Sequence, residues 1–307
     1  MIESDQLVAV AGAQVSQWDS EALGTKVTRL GPMIACERTN SSAFKGEFIL
    51  RSLVRYLEAE AREQRIRVLF ARVDGRDIEL VRTLELEGYI LADSIVTLHM
   101  TIDAEGKLVR NIAACTGQAG VAMLQPKGIP EVLHHDQRAI LSTRGIVSVR
   151  PFQPYDVQAL RHIARCAFRH DHFHSDPLIH QSAADEVYVR WLQNSCDGRA
   201  DTILVAEEPG NSPNPSGFIT CRIDKTITTL TGIPHGVIEL VAVSPEAQGK
   251  GVGTALVLRS LGWFAQQGVS SVEVGTQTRN LHAVRLYQKV GFRCVAFSHT
   301  FHKWLVG

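Results

Sequence analysis

The stretch that most constrains this chain runs from Val237 to Leu258. Val237-Ile238-Glu239-Leu240-Val241-Ala242-Val243 is apolar but for one carboxylate, Ser244-Pro245 end the run, and Gln248-Gly249-Lys250-Gly251-Val252-Gly253 leads into Thr254-Ala255-Leu256-Val257-Leu258. The pattern reads as a strand, a sharp turn and a helix. Three glycines at alternate positions let a backbone come close to a ligand, and the first helical turn offers unpaired N–H groups at the positive end of the dipole. An anionic phosphate is the natural guest. Two familiar phosphate loops do not fit. Lys250 is not followed by Ser or Thr, as a nucleotide-triphosphate loop needs, and no acidic residue about 20 positions on ends a second strand, as a dinucleotide site needs. A glycine turn that serves packing alone is the plain alternative.

The next thirty residues are more specific than the turn itself. Val272-Glu273-Val274 with Gly275-Thr276-Gln277 reads as a second strand, Asn280 caps a helix bearing Ala283, Leu286 and Tyr287, and Gly291-Phe292 ends it. The two motifs together, Gln-x-x-Gly-x-Gly and Asn-x-x-Ala-x-x-Leu-Tyr-x-x-x-Gly-Phe, resemble the Gcn5-related N-acetyltransferase (GNAT) superfamily over residues 146–305. The resemblance implies an α/β mixed-sheet fold with acetyl-CoA as co-substrate. It assigns the pyrophosphate to the amides of Gln248, Gly249, Lys250, Gly251, Val252, Gly253 and Thr254, and the pantetheine arm to the main chain of Val241 and Val243. Asn280 would touch the arm further along, and Tyr287 would protonate the departing thiolate. The alternative for Tyr287 is a ring packed between helix and sheet. Glu239 shares strand parity with Val241 and Val243 and is expected on their face, as a base or acceptor contact. In the family that glutamate more often stands two residues earlier, at Val237, and a salt-bridged Glu239 is the competing reading. Thr276 and Gln277 resemble residues lining the acceptor side.

Composition sets limits on partners. The 307 residues are 45% hydrophobic, enough for two cores, and 32 basic residues match 32 acidic ones. No global field favours nucleic acid or an anionic membrane, so an anionic ligand needs a local site. Six cysteines lie without paired spacing, the N-terminus lacks the basic and apolar regions of a leader, and no apolar run approaches about 18–20 residues. These features predict a cytoplasmic protein with reduced thiols and no membrane span.

The N-terminal half repeats this order of elements. An amphipathic helix over 48–64, a strand over 66–73, a helix over 77–87 and a strand over 94–102 precede and follow Gly88-Tyr89. A single gap-free shift places Gly88 on Gly291, Tyr89 on Phe292, Asp77 on Asn280 and His99 on His302, and an internal duplication is the simplest explanation. Leu84 stands where the second copy has Tyr287, and Thr39-Asn40-Ser41-Ser42-Ala43-Phe44-Lys45-Gly46 replaces the glycine turn. The expected layout is a degenerate copy over 1–102, a connection over 103–145 with short helices at 109–115 and 131–138, and a catalytic copy over 146–307. In the connection, His134 and His135 adjoin and cannot share one face, which argues against a metal.

Trp18 to Gly24 resembles a turn that opens amino-sugar acetyltransferases of the superfamily, or is a capped helical turn. Arg150-Pro151-x-x-Pro154-x-Asp156 resembles the family's opening of the catalytic domain. The histidine-dense segment from Arg169 to Pro177 resembles an acceptor-side loop in members acting on nucleotide-linked amino sugars such as dTDP-fucosamine. It assigns His172, Phe173, His174 and Asp176 to the acceptor, with His172 standing where those relatives carry arginine. Alternate histidines here would line one side of a strand, but no carboxylate or cysteine stands at a familiar zinc spacing, and no metal is expected. The sequence therefore predicts acyl transfer from acetyl-CoA to a small-molecule amine, foremost a nucleotide-linked amino sugar, with a homodimer as a candidate assembly. The rivals are transfer to an amino acid, polyamine or antibiotic, and a coenzyme-A-binding protein without turnover.

Overall fold

The computed structural model describes residues 9–35, 43–102, 145–207 and 214–305, with the short strand pieces 2–3, 6–7, 108–109 and 139–142. The helices expected at 109–115 and 131–138, and His134 and His135, lie outside the described residues.

Two compact units emerge, and neither is one continuous piece of chain. The first comprises residues 1–95, 170–187 and 296–307; the second comprises 96–169 and 188–295. In the first, strand Ala9–Val15 pairs antiparallel with Val27–Ala35, which runs parallel to Val68–Asp74, which in turn pairs antiparallel with residues 298–304. Helices Ala43–Glu63 and Ile78–Leu86 cover one face, where Leu50, Val54, Leu80 and Leu84 pack on Leu69, Ala71, Val73 and Phe301. Phe70, of the opposite parity, meets His172 and Phe173 instead, so residues 170–187 cover the other face.

The second unit carries the antiparallel run Gly145–Pro151, Thr202–Glu207, Pro215–Ile223 and His235–Val243, the last of which is parallel to Ser271–Gln277. Helices Val252–Gln266 and Leu281–Val290 pack on it through Leu256, Leu261, Phe264, Tyr287 and Val290. The opening motif has a structural role here. Arg150 grips Asp156 with two bonds of 2.7 and 2.8 Å and reaches Glu207 at 2.6 Å, tying strand to helix start.

The duplication shows in the element bounds. The shift that puts Gly88 on Gly291 puts Val68–Asp74 on Ser271–Gln277 and starts Ile78–Leu86 where Leu281–Val290 starts. Asp77 caps its helix by accepting from the Leu80 amide at 3.1 Å, and Asn280 does the same for Ala283 at 3.2 Å. The units depart from sequence boundaries at 102 and 146. Val96, Leu98, Met100 and Ile102 share a core with Val272 and Tyr287, while Phe301 and Leu305 share one with Leu69 and Leu84. The closing strand of each copy thus completes the other copy's unit. Duplicated folds present equivalent surfaces, so exchanging an identical element costs little.

Candidate active site

The glycine turn takes shape from backbone conformations that only glycine adopts readily. Gly249 has φ 73° and Gly251 φ 89°, and Gly251 is the N-cap of Val252–Gln266 with no side chain to offer. The amides of that first turn therefore meet no capping group. Gly253 has a packing reason as well, because a Cβ there would lie 2.8 Å from Leu286 Cδ1. Val252 is buried in the core, so only its backbone faces a ligand.

Beside this turn the sheet opens. His235–Val243 and Ser271–Gln277 pair over four residues, from His235 with Ser271 to Ile238 with Val274, and then part. The stretch from Glu239 to Val243 is left outside that ladder and leads along the chain to the glycine turn. Tyr287, 4% exposed, stands on the helix after the second strand, its ring edge-on to Phe292 at 5.7 Å. Burial raises its phenol pKa, so the hydroxyl holds its proton across the working range. Asn280 spends its side-chain oxygen on the cap, which leaves its amide nitrogen for a ligand.

The parity argument for Glu239 fails, and the cause is a β-bulge. Across the antiparallel ladder Thr220 faces Leu240 and Cys221 faces Ile238, which makes Glu239 the extra residue. A Cβ on Gly236 would strike Phe264, and one on Gly217, the partner of Val243, would lie 2.7 Å from the Ala242 carbonyl oxygen and 3.2 Å from Val252 Cγ1 and Leu256 Cδ1. Gly236, Ile238, Val241 and Val243 therefore all face helix Val252–Gln266, with the alternation reset between them. Glu239 turns to the other face and takes Arg222 Nε at 2.9 Å and Arg199 Nη2 at 3.5 Å, both on Oε1. Oε2 is buried and has no hydrogen-bond partner among the described residues. Sequence reading misses both arginines, since nothing in their spacing marks them.

Thr276 and Gln277 cannot line one surface together. Thr276 is buried on the side of Val272 and Val274, and Gln277 points the opposite way.

The histidine segment belongs to the first unit and forms a short helix, His172–Ser175, rather than a strand. His302 Nδ1 donates to Asp176 at 2.6 Å, Trp304 Nε1 donates to the same oxygen at 2.9 Å, and His302 Nε2 lies 2.8 Å from His172 Nδ1. Burial holds both histidines below their ordinary pKa. Each is neutral, so His172 Nδ1–H donates to His302 Nε2. His174 differs: burial works against its charge, but Asp171 at 2.6 Å and Asp185 at 2.9 Å raise its pKa overall. His172, Phe173 and Asp176 are thus buried parts of the first unit's packing. No group of three or more metal-ligating side chains occurs among the described residues, and the four described cysteines are free. No described helix is long and apolar enough to cross a membrane.

Residues 157–292 match the acetyltransferase (GNAT) family model. The spore coat polysaccharide biosynthesis protein SpsD of Bacillus subtilis is 28% identical over 157 residues, 50% of this chain and 50% of that protein. A mycothiol acetyltransferase of Pseudarthrobacter chlorophenolicus is 30% identical over 147 residues, 48% of this chain and 42% of the relative. The chain thus spans half or less of the length of these relatives. Among solved structures, a GCN5-related N-acetyltransferase from Sphaerobacter thermophilus superposes with a TM-score of 0.59 at 18% identity, covering 97% of this chain and 76% of its own. A tandem GNAT protein from the clavulanic acid biosynthesis pathway gives 0.54 at 12%, covering 92% and 76%. Matching over both copies, these neighbours identify the fold as mixed α/β of the tandem GNAT kind, and residues 157–292 are a domain of the acetyltransferase (GNAT) family.

Proposed function

We propose that the chain is an N-acetyltransferase that moves an acetyl group from acetyl-CoA to a small-molecule amine within a ternary complex. The observation that carries this reading is the place where the two parallel strands part, with the free edge from Glu239 to Val243 leading to an uncapped helix N-terminus. An extended pantetheine arm fits such an edge, and a pyrophosphate fits the amides of Gly249 to Thr254 at its end. Bound acetyl-CoA supplies the thioester carbon that the amine attacks. Glu239 Oε2 takes the proton the amine sheds, its N–H bond breaking as the carboxyl O–H forms. Tyr287 gives its proton to sulfur as the C–S bond breaks. Arg222 positions the carboxylate. The acceptor is proposed to be an amino sugar carried by a nucleotide, in keeping with a relative named for polysaccharide biosynthesis.

Release of free thiol from acetyl-CoA, followed against nucleotide-linked amino sugars, simple amino sugars, amino acids, polyamines and aminoglycosides, tests the proposal. Amine-dependent release is expected. Binding of coenzyme A with no release against any amine would identify a binding protein without turnover.

A further inference from the structure

We infer that the acceptor carries an anionic group close to its amine, anchored by Arg199 while Glu239 receives the amine; this rests on the acyl-transfer reading. The bulge at Glu239 buries a carboxylate, its side chain 5% exposed, and leaves its two oxygens unequal. Oε1 takes both guanidinium contacts, and Oε2 has none. A carboxylate accepts only, so the missing partner is an N–H or O–H donor, and leaving such an oxygen bare in the folded protein is unfavourable. The N–H of an acceptor amine meets the need for a donor.

The two arginines differ in the same way. Arg222 is shared between Glu239 and Asp224, the latter at 3.3 Å, so its charge is matched within the protein. Asp224 and Asp201 also accept from the main-chain amides of Ile227 and Ile223. Among the described residues Arg199 has only the long 3.5 Å contact to an oxygen already taken by Arg222, and its side chain is 55% exposed. Most of its five N–H donors are open. Gly198, at φ 106°, turns the chain just before it and fixes where it emerges. A planar guanidinium with open donors beside a desolvated carboxylate suits a ligand with phosphate or carboxylate next to an amine.

Calorimetry on the full chain saturated with coenzyme A, using glucosamine, glucosamine 1-phosphate and glucosaminic acid, tests this. One or both anionic probes are expected to bind at least about tenfold tighter than glucosamine, a difference of about 1.4 kcal/mol. The two anionic probes separate phosphate from carboxylate recognition. Arg199→Gln should erase the advantage without changing glucosamine or coenzyme A affinity, and Arg199→Lys should restore part of it. Equal binding of all three, no binding of any at millimolar concentration, or an anion preference that survives Arg199→Gln would overturn the inference. Loss of coenzyme A binding by the wild-type chain would instead sink the acyl-transfer reading itself.

Discussion

The two copies keep the same scaffold and differ where a ligand would meet it. In both, the two parallel strands pair over four residues, Val27 to Leu30 with Val68 to Ala71 in one and His235 to Ile238 with Ser271 to Val274 in the other. The parting of the strands is therefore a property of the fold and not by itself a mark of chemistry. What distinguishes the second copy is the glycine turn ahead of its helix and Tyr287 in place of Leu84. Both of those side chains are buried, at 4% and 0% exposure, so the position belongs to the core in either copy. The phenol is an addition to a site already required for packing.

The sharpest way to break the comparison is at the turn. Gly251→Val is expected to abolish acetyl-CoA binding in calorimetry, because a branched side chain would stand where the pyrophosphate approaches. A residue with Cβ at φ 89° also costs roughly 1–2 kcal/mol, so a somewhat earlier melt should accompany the loss. The wild-type chain should bind one equivalent. Two equivalents per chain would show that the first copy holds the ligand as well.

Next in size is Tyr287→Phe, which keeps the ring against Phe292 and removes the proton. A fall in kcat of about 10²–10⁴-fold, with Michaelis constants little changed, is expected. Normal turnover would return Tyr287 to a packing role like that of Leu84.

Leu84→Ala addresses the other side of the comparison. Emptying a fully buried site should cost about 2–5 kcal/mol in denaturant unfolding. Acetyl-CoA affinity of the folded chain should not change. A large drop in affinity would mean that the first copy supports the ligand site directly.

Much of the scaffold is legible in sequence because it depends on local pattern. The caps at Asp77 and Asn280 and the glycine turn follow from spacing and residue type, whereas the packed Tyr287 ring is only the alternative reading of its motif. Glu239 misleads because alternation assumes an unbroken ladder, and one extra residue against Cys221 resets it. The exchanged strands at 96–102 and 296–304 are hidden because equivalent repeats make either pairing satisfy the same apolar pattern. Alternate histidines match a period of two and so read as a strand; the Asp171 cap, accepting from the amides of Phe173 and His174, starts a helical turn instead.

The smallest expected effect concerns the charge state of that histidine segment, which has no counterpart in the first copy's repeat. His172 is held below its ordinary pKa by burial and by His302, so the unfolded chain binds its proton more readily as pH falls through about 6.5. Its contribution is a loss of stability on acidification. His174 has the opposite sign: burial lowers its pKa, the bonds to Asp171 and Asp185 more than offset this, and the folded chain holds the proton. That stabilisation is complete below about pH 6.5 and fades as pH rises through the raised value. Thermal melts at about pH 5.5 and about pH 8.5 should separate the two. His172→Gln keeps a donor for His302 Nε2 but cannot titrate, so its melting temperature should fall less than wild type on going to acid. His174→Gln should be most damaging at acid pH and close to wild type at alkaline pH. Should His172→Gln follow the wild-type acid limb, another group sets that limb; should the His174→Gln deficit grow with pH, the bonds to Asp171 and Asp185 do not depend on its charge.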